Sequence, residues 1–133
     1  METTFEIYSS SITTLAVMAA IMLVQLITAD VTSISRKHIP GTSVSDDHSD
    51  FLFRVTRTVA NTNESIAIFV CVLLFCILSG ASPTLTAYGA WTYVTSRGVY
   101  AVCYYANLQT LRSICFGLSA LALVGLLLVG VFY

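Results

Sequence analysis

The stretch Phe51 to Ser79, FLFRVTRTVANTNESIAIFVCVLLFCILS, decides the fold. Its second half is almost wholly apolar, while its first half carries Arg54, Arg57, Asn61 and Glu64 among apolar residues. It contains no Pro or Gly to break a helix. At helical rise it reaches about 43 Å, more than the roughly 30 Å of a bilayer's hydrocarbon. A helix of this length crosses the membrane and leaves its first two turns, with Arg54 and Arg57, in or beyond the headgroup layer.

Outward from it the chain shows three more such runs. The first covers about Ser9 to Ala29 and carries no charge. A polar loop, about Asp30 to Asp50, joins it to the helix that starts near Phe51. Gly80, Ser82 and Pro83 then form a tight uncharged turn. A third run covers about Thr84 to Tyr105 and a fourth about Ser113 to Phe132, with a short link from Ala106 to Arg112. The runs are continuous, not alternating, which excludes a membrane barrel. Open sheets cannot satisfy their backbone in lipid. The expected fold is one all-α integral membrane domain over 1–133, a four-transmembrane-helix antiparallel bundle.

Composition agrees. Of 133 residues, 56% are hydrophobic and only 10% are charged, too few to clothe a water-soluble surface. A net charge of −1 and the lack of a basic tract argue against nucleic acid as a partner. The first residues hold Glu2 and Glu6 but no Lys or Arg, so the first run reads as an anchor and not as a cleaved signal. Cys71, Cys76, Cys103 and Cys115 lie in or beside apolar runs without a CxxC pair and read as buried free thiols.

The basic residues set an orientation. Arg36, Lys37, Arg54 and Arg57 flank the first connection, and Arg97 and Arg112 the third. These connections are expected on the cytoplasmic side, with both termini opposite.

Several charges sit at lipid depth. Counted from Ser79, Glu64 lies about 22 Å into the membrane; counted from Thr84, Arg97 lies about 20 Å in. An unpaired charge there costs at least about 2.5 kcal/mol. Arg57, Asn61 and Glu64 follow i, i+4, i+7 and share a helix face, with Arg54 on the same side. Arg97, Tyr100 and Tyr104 form a second stripe, and Arg112 and Ser113 open the last helix at the same membrane face. One reading is an ion pair of Glu64 with Arg97 or Arg57 that merely locks helices. The other starts from the surplus of arginines over one intramembrane carboxylate: a pocket for an anion supplied from outside.

The stretch Asp47 to Arg54 with Arg57, Asn61 and Glu64 resembles the MAPEG family, the membrane-associated proteins in eicosanoid and glutathione metabolism. The family's second helix carries R-x3-N-x2-E, matched by Arg57, Asn61 and Glu64. Its third carries Arg followed seven residues later by Tyr, matched by Arg97 and Tyr104, and its fourth opens on Arg-Ser, matched by Arg112 and Ser113. The chain resembles the short bacterial branch, and many eukaryotic members have His where Tyr100 stands.

The resemblance implies a homotrimer in a bacterial inner membrane, with glutathione as co-substrate between subunits near the cytoplasmic face. It implies a transferase or peroxidase acting on a lipophilic small molecule that arrives through the bilayer. Arg54, Arg57, Asn61, Glu64, Arg97 and Tyr100 are then expected to bind glutathione. Arg112, with Ser113 and Tyr104, is expected to activate its thiol. A non-catalytic member binding lipid or a partner protein is the first alternative. A small proton-coupled exporter using Glu64 is the second, disfavoured because adjacent arginines would hold that carboxyl ionised.

Asp46, Asp47, His48 and Asp50 read as a solvated loop and helix start before a metal site, with Asp50 as N-cap. Trp91 and Tyr93 are expected in an interfacial aromatic belt. Gly117 and Gly125 are expected to permit close helix packing.

Overall fold

A computed structural model of the chain describes residues 3–133; Glu2 lies outside them. The described residues are all-helical: α1 Thr4–Ile7, α2 Ser9–Ser35, α3 Phe51–Ser79, α4 Pro83–Tyr105 and α5 Gln109–Phe132. α3 has the bounds read from the sequence. Asp50 caps it, its side chain accepting from Leu52 N–H at 3.1 Å.

α2 runs six residues past the expected end at Ala29. The extra turns carry Thr28, Thr32 and Ser35, whose hydroxyls donate back to the carbonyls of Val24, Thr28 and Thr32. No Gly or Pro intervenes before Pro40. The apolar run ends where lipid ends, whereas the helix continues until a local stop. That stop is Lys37, with φ 53°, where His38 N–H bonds Ser33 C=O and Lys37 N–H bonds Ile34 C=O. The same pair of closing bonds ends α3 at Gly80 (φ 70°) and α4 at Asn107 (φ 58°). At Asn107 it shortens the last link to three residues, so α5 starts four residues before Ser113.

Three helices, α2, α3 and α5, are long and apolar enough to cross a membrane. α4 is long enough but richer in Thr, Ser and Tyr and holds Arg97. It also packs against α2, α3 and α5, and has the longest roll of buried residues. A helix walled by protein can be polar where a lipid-facing one cannot. Register follows from paired residues. α4 runs antiparallel to α3, with Arg97 against Asn61 and Tyr93 against Ser65, and antiparallel to α5, with Tyr104 beside Arg112 and Gly89 against Leu126.

The main core gathers Met18, Phe69, Leu73, Cys76, Ala90, Tyr93, Val94, Ala122 and Leu126. Tyr93 is not in an interfacial belt: it is fully buried, its ring stacked on Phe69 at 4.3 Å and its hydroxyl 2.8 Å from Ser65 Oγ. Trp91, on another face of α4, donates from Nε1 to Ser10 Oγ on α2 at 3.1 Å. All four cysteines are free, as expected, but Cys71 is exposed and Cys115 half-buried. The outer surface is crowded with large apolar side chains, among them Leu23, Ile27, Leu78, Val102 and Leu121. A surface of that kind is stable against lipid, not water.

At the end opposite the polar loop, the turn after α3 is pinned twice. Tyr8 donates its hydroxyl to Ala81 C=O, and Ser82 N–H bonds the carbonyl of Tyr133 at 3.1 Å.

The close approaches of α5 use other glycines than those expected. A Cβ at Gly117 or Gly125 would meet nothing within 4 Å, because both face outward. At Gly89 it would lie 2.8 Å from Leu126, and at Gly130 2.7 Å from Phe75. Leu126 is itself fully buried and has nowhere to go. Gly89→Val is therefore expected to destabilise by about 1–3 kcal/mol through overpacking. Gly117→Ala is expected to be neutral or to gain up to about 1 kcal/mol of helix propensity. Thermal unfolding in detergent, followed by circular dichroism, compares the two.

Candidate functional site

Arg97 is the largest fully buried side chain in the structure, with 0% exposure. It sits on α4 because the helix face defined by Arg97, Tyr100 and Tyr104 points inward. Its Nη2 donates to Asn61 Oδ1 at 2.9 Å and to Thr62 Oγ1 at 3.3 Å, both on α3. Its guanidinium lies 4.6 Å from the centroid of the Tyr100 ring. Nε and Nη1 have no protein partner. Leaving buried donors unpaired costs on the order of 1–3 kcal/mol each.

No carboxylate relieves that cost. Among the described residues the ion pair is Arg36 with Asp50, at 3.7 Å on the loop surface. Glu64 is exposed on the outer side of α3 and pairs with neither Arg57 nor Arg97. The helix-locking ion pair weighed from the sequence is not formed.

In front of Arg97 lies a pocket of about 270 Å³, lined by Arg57 and Asn61 from α3, Tyr100 and Tyr104 from α4, and Arg112, Ser113 and Phe116 from α5. Each helix brings its lining residues by simple spacing: i, i+4 on α3, i, i+4 on α4, and i, i+1, i+4 on α5. The three-residue link puts Arg112 directly over Tyr104, 4.5 Å from its ring centroid. Tyr100 meets Tyr104 edge-on at 5.6 Å. Two guanidinium groups thus face the space, a third stands behind it, and the wall holds no carboxylate. Asn61 links the layers, since its Oδ1 is taken by Arg97 while its amide NH₂ remains to donate. Ser113 donates its hydroxyl to Gln109 C=O at 3.0 Å, leaving its lone pairs to accept.

Of the residues singled out from the sequence, Arg57, Asn61, Tyr100, Tyr104, Arg112 and Ser113 line this pocket, and Arg97 supports it from behind. Two stand apart. Arg54 donates from Nη1 to the carbonyls of His48 and Ser49, both at 2.8 Å, and is spent on the loop. Glu64 lies beyond the lining, one turn deeper along α3. Phe116 and Thr62 were missed, although Phe116 is one turn from Arg112 on α5 and Thr62 adjoins Asn61.

His48 also reaches the site. Its Nδ1 is 3.5 Å from Arg112 Nη1, and its ring stacks with Tyr104 at 6.1 Å. The neighbouring acidic residues serve the loop. Asp50 caps α3, and Asp47 accepts from Ser49 N–H at 2.8 Å. Two wider furrows, of about 460 and 330 Å³, run along α2 against α3 and α4 and are lined by apolar side chains with Gln25, Asn63 and Tyr105. Neither holds a charged group. The smaller pocket is the better candidate because polar groups from three helices converge there.

The fold and this pocket define an integral membrane protein with a cationic, tyrosine-lined cleft among its helices. The model of the MAPEG family matches residues 11–132, nearly the whole chain, and the protein belongs to that family. A comparison with curated proteins gives no match.

Two outcomes follow from the geometry. Arg97→Met removes two unpaired donors and keeps volume, but leaves Asn61 Oδ1 and Thr62 Oγ1 without their donor; the two effects oppose, so its midpoint of thermal unfolding in detergent is expected to stay close to the parent's. A clearly lower midpoint would show that Arg97 is a structural tie. Outside the membrane, the Ser49 hydroxyl and backbone N–H hold the Asp47 carboxyl below its usual range. A depressed folded value contributes order that is complete above the unfolded value and is lost as pH falls through the folded one. Protection of the Ser49 amide, corrected for intrinsic exchange, is therefore expected to fall below the ordinary carboxylate range, and to be absent in Asp47→Ala at neutral pH.

Proposed function

We propose that the pocket binds glutathione and that the protein is a glutathione-dependent transferase or peroxidase acting on lipophilic electrophiles. The observation that carries this reading is the wall itself: Arg57 and Arg112 face a 270 Å³ space, with Arg97 behind, and among the described residues no carboxylate pairs with them. Glutathione brings two carboxylates, an amine and a thiol. Arg57 takes a carboxylate through charge-assisted hydrogen bonds, with the Arg97 charge standing behind, Asn61 donates to the peptide, and Tyr100 packs against it. Arg112 stabilises the thiolate, with Tyr104 as hydroxyl donor and Ser113 as helper. The thiolate sulfur then attacks an electrophilic carbon, the C–S bond forms and the leaving anion departs, while the thiol proton goes to solvent.

The reading includes α4 as a fourth membrane span, with the polar loop and the α4–α5 link on the cytoplasmic side. The clustering of all six Lys and Arg at that end supports it. It also includes a homotrimer. Asn63 and Glu64 are exposed on α3, and at lipid depth such groups are costly unless a neighbouring copy covers them. In that assembly Glu64 accepts from the glutathione amine across the subunit boundary. Arg54 serves by fixing the loop.

One observation favours binding without turnover. The Ser113 proton is committed to Gln109 C=O and is not free for a sulfur or an oxyanion. Calorimetry in detergent and conjugation of a generic aryl halide separate the two readings. Binding with turnover is expected, and Arg112→Ala is expected to lower kcat/KM about 100-fold or more while leaving the fold intact. Binding without conjugation or peroxidase activity would select the non-catalytic reading. No heat at millimolar glutathione would end the glutathione reading and leave a member that binds lipid or a partner protein.

A further inference from the structure

Arg112 is the pocket residue with the least obvious means of support. It is half-exposed in the first turn of α5, on a long flexible stem, and makes no ion pair among the described residues. A guanidinium so placed samples many rotamers unless something orders it, and a site works only where its first contacts are held.

Two side chains hold it. The Tyr104 ring lies under its guanidinium at 4.5 Å, and His48 Nδ1 stands at its edge, 3.5 Å from Nη1. For that second contact to bind, the imidazole must carry its proton on Nε2 and present Nδ1 as acceptor. His48 is itself fixed on three sides. Its ring stacks with Tyr104 at an interplanar angle of 29°, meets the edge of Phe53 at 4.9 Å, and its carbonyl accepts from Arg54 Nη1 at 2.8 Å. Arg54 also takes the Ser49 carbonyl, and Asp47 the Ser49 N–H, so the backbone on both sides of the imidazole is tied.

We infer that His48 is a positioning residue for Arg112, and that the α2–α3 loop forms one wall of the site through it. Arg54 holds His48, and His48 aims Arg112 into the pocket. The loop thereby couples the start of α3 to the start of α5. For glutathione the inference rests on the reading of the pocket given above; the Arg112–His48 contact stands without it.

The test uses the full chain in detergent and three variants, His48→Ala, His48→Asn and His48→Gln. Asn places its carbonyl oxygen where Nδ1 stood, and Gln places its own where Nε2 stood. The first readout is the modification rate of Arg112 by phenylglyoxal, resolved by peptide mass spectrometry. The rate is expected to rise severalfold in His48→Ala and His48→Gln and to return toward the parent's in His48→Asn. The second is glutathione affinity, expected to weaken about three- to fivefold in His48→Ala and to recover in His48→Asn. Equal Arg112 reactivity in the parent and all variants, or protection by Gln equal to that by Asn, overturns the inference. A parent that binds no glutathione overturns the functional reading alone, because the phenylglyoxal arm still decides the role of His48.

Discussion

The site depends on one constraint: a guanidinium kept charged in the middle of a helical bundle without a carboxylate. Arg97 is held by the neutral oxygens of Asn61 and Thr62 and by the face of Tyr100. Neutral partners orient it and spread some of its charge, but do not cancel it. Its field therefore projects forward, toward the space that Arg57 and Arg112 also face. Had Glu64 turned inward to meet it, the same residues would have made a self-satisfied tie, and the pocket wall would have been close to neutral. The orientation of one carboxylate decides whether that wall is neutral or carries net positive charge.

That arrangement explains the composition of α4. A buried arginine needs neighbours that accept hydrogen bonds or offer π-faces, and α4 supplies the Tyr100 ring against it and Tyr93 one turn away on the same helix. The face that bears them is too polar to meet lipid. It is therefore turned toward α2, α3 and α5, while the outer side of α4 carries apolar residues such as Val99 and Val102. Gly89 and Gly130 allow α5 to close on α4 and α3 at the far end, away from the pocket. The helices close on one another at those glycines and leave a pocket where the arginines are.

Much of this was legible in the chain. Asp50 before the helix and Gly80 after it marked α3 to the residue, because cap and stop are local chemistry. The lining by Arg57, Asn61, Tyr100, Tyr104, Arg112 and Ser113 followed from helical spacing and from the depth at which those residues fall. What failed was decided by neighbours. Spacing put Glu64 on the face of Arg57 and Asn61, but not which of them a second helix would cover. It could not show that Tyr93 faces the core while Trp91 does not, since aromatic content is the same in a belt and in a core. Gly117 and Gly125 had the right spacing for packing, yet the opposing side chains chose Gly89 and Gly130. The end of α2 was misplaced for a different reason: hydropathy reports where lipid ends, and a helix can outlast it until a residue such as Lys37 takes the left-handed turn.

Arg54 and Arg57 show how little sequence separates two roles. They stand three residues apart on one helix, at the same membrane face, and either one alone suits an anion. The difference lies in what the loop offers. Arg54 is within reach of two main-chain carbonyls, from His48 and Ser49, which the turn before α3 leaves without helical partners. Carbonyls fixed in place hold Arg54 Nη1 continuously, although its Nε has no partner, whereas a ligand holds a guanidinium only when bound. Arg57, one turn on, has no such carbonyl and points into the pocket. The loop thus sorts the arginines by using up the nearer one. The polar segment between α2 and α3 is as much a determinant of the site as the helices that line it.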